Sequence, residues 1–213
     1  MAKLFLGTRE VTPSMYKGSS GSGYSELPAY EVSNGTASKR TKVLDGTEFE
    51  GITTIDAGAF QYAFYGKDIS GYLNLSSVVT INGNGLNQAF RGCSISSINV
   101  DNVEFIGSMG IYQAFMSCSI TTIDFKKLSD ITTSYCLRNA FQSLSSLTDV
   151  YFRALTTTSF GSQTNQFTTM LSSTSGVTLH FPSNLQSTIQ GISGYPSFGG
   201  TNVTIAFDLP ATT

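Results

Sequence analysis

The sequence predicts a mainly β solenoid, in which successive coils of chain, here called rungs, each add one short strand to a parallel sheet. Three observations predict this fold class: an Ala-Phe turn recurs at nearly constant spacing, an alternating apolar segment follows each turn, and further apolar positions follow at fixed offsets. Each repeat supplies about six apolar positions, so a core forms only when neighbouring rungs stack. An all-β sandwich shares the short strands and Gly/Ser turns, but it does not require a repeat of about 25 residues.

The recurring turn is marked by a phenylalanine that follows alanine in four copies and glutamine in the last. Successive phenylalanines are 26, 25, 26 and 26 residues apart. We expect irregular or short helical turns that place these rings inside the solenoid, opposite the sheet, as a structural ladder. The ladder residues are Phe64, Phe90, Phe115, Phe141 and Phe167.

A strand is predicted after each turn because apolar and polar residues alternate there, as at Ile123 and Phe125 or at Val150 and Phe152. This period of two is typical of a strand with one buried face. Two more inward-facing columns are predicted three and six residues past the strands. They are Val78, Val103, Leu128 and Leu155, followed by Ile81, Ile106, Ile131 and Thr158.

The repeats divide the chain into an array at 46–190, with about five to six rungs, and two flanking segments. Residues 52–56 (ITTID) echo residues 120–124 and are interpreted as a truncated first rung. Residues 1–45 open with an alternating pattern, KLFLGTREV, and continue into a Gly/Ser linker at 18–23, which predicts a small β segment for attachment or capping. Residues 191–213 include NVTIAF, a predicted strand that caps the stack.

The composition excludes several classes of partner. Only 12 % of residues are charged, against about 25 % in typical chains, and Ser and Thr together number 56. A net charge of −2 provides no basic excess for nucleic acid. No apolar stretch approaches the length of a membrane helix, and no signal-peptide core is present. We therefore expect no nucleic-acid partner, no membrane insertion and no classical export.

Catalytic and metal sites are limited by the single histidine, His180. Metal sites that need two or three histidines are impossible, and a Ser-His-Asp relay would have to use this one residue. We expect a surface or capping imidazole, no catalytic residue, no metal and no cofactor. A glycosidase using carboxylates among Asp101, Asp124 and Asp149 remains an alternative, as does calcium binding by these groups.

The three cysteines cannot all pair with one another and lack metal-ligand spacing. Cys93 and Cys118 occupy equivalent positions in neighbouring rungs, and Leu144 follows at the same position. The leucine indicates a buried position, where cysteine acts as a small apolar residue. A Cys93–Cys118 bridge stays open, because adjacent rungs lie within disulfide range.

Alignment of the rungs predicts which side chains share the outer face of the sheet. Neighbours in one column lie about 4.8 Å apart, so this face presents a continuous polar surface with tyrosines for stacking. Such a surface suits a polar ligand such as carbohydrate, although a solvated face without a ligand is the alternative. The predicted binding residues are Tyr72, Asn74, Asn99, Asp101, Asp124, Lys126, Asp149, Tyr151 and Arg153.

Segments of the array resemble a known family. AFRGCSISSINV (89–100), AFMSCSITTIDF (114–125) and AFQSLSSLTDVYF (140–152) are similar to the BspA-type leucine-rich repeats of bacterial surface proteins. VTLHFPSNLQSTI (177–189) resembles the last rung of that family. The resemblance implies a leucine-rich-repeat solenoid that acts as a binding or adhesion scaffold without catalysis.

The opening KLFLGTREVTP resembles short N-terminal attachment segments in structural proteins of tailed phages of gut bacteria. This resemblance implies a virion surface component: a fibre, decoration or tail-associated protein. Its partners would be other virion proteins or a host surface protein or glycan, with a homo-oligomer, a trimer by analogy, as one assembly. The alternative is a bacterial cell-surface or secreted BspA-like adhesin that binds host protein or glycan.

Overall fold

The computed structural model describes residues 4–6, 9–11, 30–33, 36–39, 42–162 and 165–213. Within these ranges, helix is confined to short pieces, namely the 3-10 turns Thr157–Phe160 and Ser183–Leu185 and the helix α1 (Gln186–Gln190). The strands are β1 (Leu4–Leu6), β2 (Arg9–Val11), β3 (Tyr30–Ser33), β4 (Thr36–Lys39), β5 (Lys42–Leu44), β6 (Thr54–Ile55), β7 (Ile69–Asn74), β8 (Thr80–Ile81), β9 (Ser94–Asn99), β10 (Phe105–Ile106), β11 (Thr122–Phe125), β12 (Asp149–Phe152), β13 (Thr178–Pro182) and β14 (Thr204–Leu209).

The front sheet, defined as β5, β7, β9, β11, β12, β13 and β14, contains one strand from each rung. β5, β7 and β9 pair in parallel, and β11 to β14 form a second parallel group. Between the two groups, the Ser119 N–H donates to the Ile95 carbonyl at 2.8 Å. Parallel strands stacked rung on rung confirm the predicted β-solenoid and exclude the sandwich for this region, because a sandwich is built from antiparallel sheets.

A second wall is formed by β6, β8 and β10, which also pair in parallel. The interpretation of residues 52–56 as a counterpart of 120–124 is therefore wrong in position. β6 pairs with β8 in the second wall, whereas β11 lies in the front sheet. Both segments place isoleucine inward, and this shared burial accounts for their similar sequences.

The second wall continues past β10 through a bridge between Phe105 and Asp130. In the next rung, the Ile131 N–H donates to the Ser159 carbonyl at 3.0 Å. Thr158, predicted to continue the inward column of Ile131, is exposed, and Phe160 is buried beside this contact instead. The extra 3-10 turn Thr157–Phe160 shifts the inward position by two residues.

The third side of the solenoid is the turn wall, defined as residues 57–66, 83–92, 108–117 and 133–143. Alternate N–H groups here bond to the next rung, as from Phe64 to the Ala89 carbonyl and from Phe90 to the Ala114 carbonyl, both at 2.9 Å. A left-handed residue at every fourth position makes this geometry possible, and the inter-rung bonds satisfy the backbone of the turns. These positions are Gly58, Tyr62 and Gly66; Asn84, Gln88 and Gly92; Met109, Gln113 and Ser117; Tyr135, Asn139 and Ser143.

The five ladder phenylalanines are all buried in the core. Near-parallel stacking joins Phe64 to Phe90 with ring centroids 5.0 Å apart, and Phe90 to Phe115 with centroids 6.3 Å apart. The last two rings make contacts with the front sheet. Phe141 lies 6.4 Å from Phe125, and Phe167 lies edge-on to another ring of the sheet, that of Phe152.

A second aromatic stack, which sequence analysis did not predict, lies on the inner side of the front sheet. Phe125, Phe152 and Phe181 are stacked with successive centroids 5.6 and 5.2 Å apart. Phe207 continues this column at 6.2 Å from Phe181. The two stacks meet in the core through Phe141–Phe125 and Phe167–Phe152, so aromatic rings join the turn wall to the front sheet among the aliphatic residues of the core.

The three cysteines are buried as free thiols, so the Cys93–Cys118 bridge left open above is not formed. Cys93 donates to the Phe64 carbonyl at 3.2 Å, and Cys118 donates to the Phe90 carbonyl at 3.4 Å. Burial raises the pKa of all three thiols to about 12. Cys93 and Cys118 therefore act as small buried groups that bond to carbonyls of the preceding rung, whereas Cys136 faces the Ile131 carbonyl of its own rung at 3.8 Å.

Both flanking segments contribute strands. β1 pairs antiparallel with β2 and β3 with β4, whereas the predicted linker at 18–23 lies outside the described residues. β5 belongs to the 1–45 segment but pairs in parallel with β7, so the front sheet begins there. At the other end, β14 pairs with β13 at the place predicted for a capping strand. Within the described ranges, no helix has the length and apolar character needed to cross a bilayer.

Candidate binding face on the front sheet

The predicted outward columns are in register within each group of strands. Tyr72 lies opposite Ser97, and Asn74 lies opposite Asn99. In the later group, one column runs from Asp124 through Tyr151 to His180. A second column runs from Thr122 through Asp149 to Thr178. The structure therefore brings the predicted side chains together as neighbours on one surface.

Two ion pairs connect successive rungs across this surface. Lys126 Nζ lies 2.7 Å from Asp101 Oδ2, and the hydrogen bond to Asp101 raises the pKa of Lys126. Arg153 Nε lies 2.7 Å from Asp124 Oδ1, and this hydrogen bond raises the pKa of Arg153. All four side chains are partly exposed, so solvent screens the pairs, and their main effect is to fix side-chain positions.

His180, which sequence analysis assigned only a surface or capping role, connects three strands. Its Nε2 lies 3.1 Å from Asp149 Oδ1, and its Nδ1 lies 2.8 Å from Asp208 Oδ2. The two ring nitrogens thus face carboxylates of the two neighbouring strands, which fixes the orientation of the imidazole. Hydrogen bonds from the Thr148 side chain and from His180 lower the pKa of Asp149.

The ring of Tyr151 is covered on both faces. The His180 ring is stacked on it with centroids 4.2 Å apart and planes 11° apart. The Arg153 guanidinium lies 4.8 Å from the Tyr151 centroid, and it occupies the other face because one face cannot hold both groups. Tyr151 therefore offers no free face for a ligand, contrary to its predicted use as a stacking platform.

Tyr72, unlike Tyr151, has an exposed ring on which a ligand could stack. It is 37 % exposed and lies over Gly46, where an added Cβ would be only 3.0 Å from Tyr72 Cδ1. The backbone of Gly46 thus supports this ring, whose exposed part is available to a partner. Tyr72 lies on β7, several strands away from His180 on β13.

The two predicted asparagines have local structural roles. Asn74 Oδ1 accepts the Ser76 N–H at 3.0 Å, and Asn99 Oδ1 accepts the Asp101 N–H at 2.9 Å. Each bond closes an Asx turn at the end of its strand. Among the described residues, no group accepts a hydrogen bond from the amide nitrogen of either asparagine, so both nitrogens are available as donors on the outer side of the front sheet.

Asp208 and the contacts that His180 makes were not among the predicted features of this face. The alignment of strands placed His180 above Tyr151 in one column, which was a usable signal. Asp208 gave no such signal, because the pairing of β13 with β14 shifts register between His180 and Pro182. Among the described residues, no group of three or more His, Cys, Asp or Glu side chains could hold a metal ion. Comparisons of the chain with protein-family models, curated proteins and solved structures find no significant match.

Proposed function

We propose that this chain is a non-enzymatic structural or adhesion protein displayed on a virion as a fibre, decoration or tail-associated component. The observation that carries the binding role is the outer face of the front sheet, called the front face, where side chains from successive rungs are held by mutual contacts. Ion pairs such as Arg153–Asp124 and the stacked Tyr151–His180 pair order this surface before any partner arrives. Pre-ordered side chains lose less entropy on binding, which favours recognition of a protein or glycan.

The contacts of the front face argue against a hydrolase. Both nitrogens of His180 are bonded to carboxylates, which leaves neither to take a proton from a substrate. A glycosidase acid requires a raised pKa, whereas the pKa of Asp149 is lowered. Asp101 and Asp124 each bond to a cation of a neighbouring rung. Recognition without turnover is the chemistry that these residues support best.

The leucine-rich-repeat identity and the virion location rest on the resemblances of the sequence. Motifs such as AFRGCSISSINV support the BspA-type assignment, and KLFLGTREVTP supports attachment to a phage particle. The parallel front sheet agrees with a repeat scaffold but is common to many solenoids. Assembly as a trimer is part of the same proposal and is tested by analytical ultracentrifugation of the purified chain.

The location is tested by isolating phage particles from a lysate of the producing strain. We expect mass spectrometry to find this chain in density-purified particles at a constant ratio to the capsid protein, and immunogold to label their surface. If the chain occurs only in the bacterial envelope, the virion proposal fails and the BspA-like adhesin takes its place.

Use of the front face is tested separately with the purified chain and host cells. Tyr72→Ala and Asn74→Ala should reduce cell binding, because the Tyr72 ring is exposed and Asn74 is partly exposed beside it on the same strand. Lys127→Gln, a change at an exposed residue outside the predicted set, is the matched control. Turnover of a glycan panel that disappears in Asp149→Asn would instead establish the glycosidase alternative.

A further inference from the structure

The turn wall differs from the front face in its charge. Its four segments contain no Asp or Glu and no Lys, but they contain Arg91 and Arg138. On the front face, Lys126, Arg153 and His180 each contact a carboxylate. Within the described ranges, neither arginine of the turn wall has a carboxylate partner. This wall therefore carries two cations whose charge is not balanced by its own residues.

The Arg91 side chain is fixed by contacts of one of its guanidinium nitrogens, Nη1, and of its ring partner. Its Nη1 donates to Gln88 Oε1 at 2.8 Å and to Gln113 Oε1 at 3.2 Å. Its guanidinium carbon lies 5.2 Å from the centre of the Tyr65 ring. In the described part of the chain, nothing accepts a hydrogen bond from Nε or Nη2. These two nitrogens form the planar fork that pairs with both oxygens of a carboxylate.

Arg138 is held by aromatic rings and makes no hydrogen bond with its guanidinium in the described structure. Its guanidinium carbon lies 5.1 Å from the centre of Tyr135 and 5.9 Å from that of Tyr112. Its Nε is buried and has no acceptor. A ligand from solvent cannot reach this buried atom, so a carboxylate would pair with the two terminal nitrogens, Nη1 and Nη2, for which the described residues provide no acceptor.

A row of hydrogen-bonded amide side chains continues from Arg91 across the next two rungs. Gln113 Nε2 donates to Gln142 Oε1 at 2.8 Å, and Asn139 Nδ2 donates to the same oxygen at 3.0 Å. Each primary amide has two donors and two acceptor sites, so these contacts leave unused capacity at Gln113 and Asn139. Hydroxyl groups, which both donate and accept, are the natural partners for such a row.

We infer that the turn wall binds an acidic polysaccharide. Its carboxylates pair with Arg91 and Arg138, its hydroxyls bond to the amides between them, and its apolar C–H surface lies on Tyr65, which is 46 % exposed. The arginines are two rungs apart, about 10 Å along the stack. A uronic acid polymer offers both carboxylates and hydroxyls along one chain, whereas the net charge of −2 gives this protein no basic excess for the phosphates of nucleic acid.

The inference is independent of the proposed function, since it concerns another wall and no virion location. The test is biolayer interferometry of the full chain on immobilised polygalacturonate. The fully methyl-esterified polymer has the same sugar backbone without charge and serves as the ligand control. Poly-L-glutamate and single-stranded DNA test whether any polyanion is sufficient.

Arg91→Gln and Arg138→Gln should each weaken polygalacturonate binding about ten- to hundredfold, the range for a lost hydrogen bond to a charged group. Lys127→Gln removes the same charge from an exposed residue elsewhere and should leave binding unchanged. Arg91→Lys keeps the charge without the fork and should bind with intermediate affinity. Circular dichroism melts verify that each variant is folded.

Several results would overturn the inference. They are no binding to polygalacturonate, equal binding to the methyl-esterified polymer, and equal loss in Lys127→Gln. If Arg91→Gln does not fold, the test uses the folded variants Arg91→Lys and Arg138→Gln. Unchanged polygalacturonate binding by both of these variants overturns the inference. Equal or tighter binding of poly-L-glutamate or DNA would replace the polysaccharide by an acidic protein or a nucleic acid.

Discussion

Gly107 lies at a very close approach between neighbouring rungs. A Cβ added there would lie 2.7 Å from the backbone nitrogen of Gly83 and 3.0 Å from the carbonyl carbon of Asn82. These contacts involve the backbone of the preceding rung, which cannot rotate away as a flexible side chain can. The Gly107 N–H also donates to the Ile81 carbonyl at 2.7 Å. Gly107→Ala should therefore push two rungs apart and weaken this bond.

The magnitude follows from two opposing terms. Overpacking a close contact costs about 1–3 kcal/mol, and the loss of a flexible glycine from the unfolded chain returns about 0.4–1 kcal/mol. We expect Gly107→Ala to lower the free energy of unfolding by about 1–2 kcal/mol. For a chain of this length, that corresponds to a fall in Tm of about 2–8 °C.

Gly83 provides the matched control, since it is also a glycine at the corner between the second wall and the turn wall. A Cβ on Gly83 would meet only the Ser108 carbonyl oxygen, at 3.4 Å, the edge of ordinary contact. Gly83→Ala should leave Tm unchanged or raise it slightly. Thermal melts followed by circular dichroism measure both variants. Equal destabilisation by both, or a Gly107→Ala variant as stable as wild type, would refute the close stacking of these rungs.

Three further outcomes test other parts of the structure. The buried cysteine thiols, whose pKa is about 12, should react with DTNB only after denaturation, and rapid labelling of the native protein would contradict their burial. Asp149→Asn should lower Tm at neutral pH. The folded pKa of Asp149 lies below its ordinary value of 3.8, so its stabilisation is present above that pH and is lost as pH falls further; a Tm difference that is independent of pH would contradict this. Phe152→Ala should cost about 3–5 kcal/mol in urea unfolding, against less than about 1 kcal/mol for the exposed Tyr65→Ala, and similar costs would argue against the aromatic core.

Similar segments of the sequence predicted which residues are buried in a rung, but they did not predict which wall of the solenoid each segment joins. The segment at 52–56 resembles 120–124 because both bury isoleucine, but pairing with β8 places it in the second wall. Thr158 was assigned by counting from the strand, and the extra 3-10 turn moved the buried position to Phe160. Counting fails wherever a rung gains residues, because burial depends on the space between neighbouring rungs.

The sequence predicted which residues form the candidate site, but it did not predict which of their side chains contact one another. Register along the strands is set by repeat spacing, so the Asp124–Tyr151–His180 column followed from alignment. The partner of His180 at Nδ1, Asp208, depends on a register shift before Pro182. The regular register of β12 and β13 stacks His180 on Tyr151, and the shift in the next pairing bears only on the contact with Asp208. Side-chain pairing of this kind depends on distances of a few tenths of an ångström, which residue order does not encode directly.

The sequence by itself determined that this chain stacks in parallel rungs, because a period of about 26 residues places apolar side chains at the same depth in every coil. It also determined which residues share the outer face of the sheet. The tertiary structure alone decided which wall each short segment joins and which charges are neutralised. The physical reason is that the same repeat positions are buried in every rung, whereas the pairing of a charge depends on side chains from other rungs. Arg153 finds Asp124 in the preceding rung, but Arg91 meets no carboxylate among the described residues.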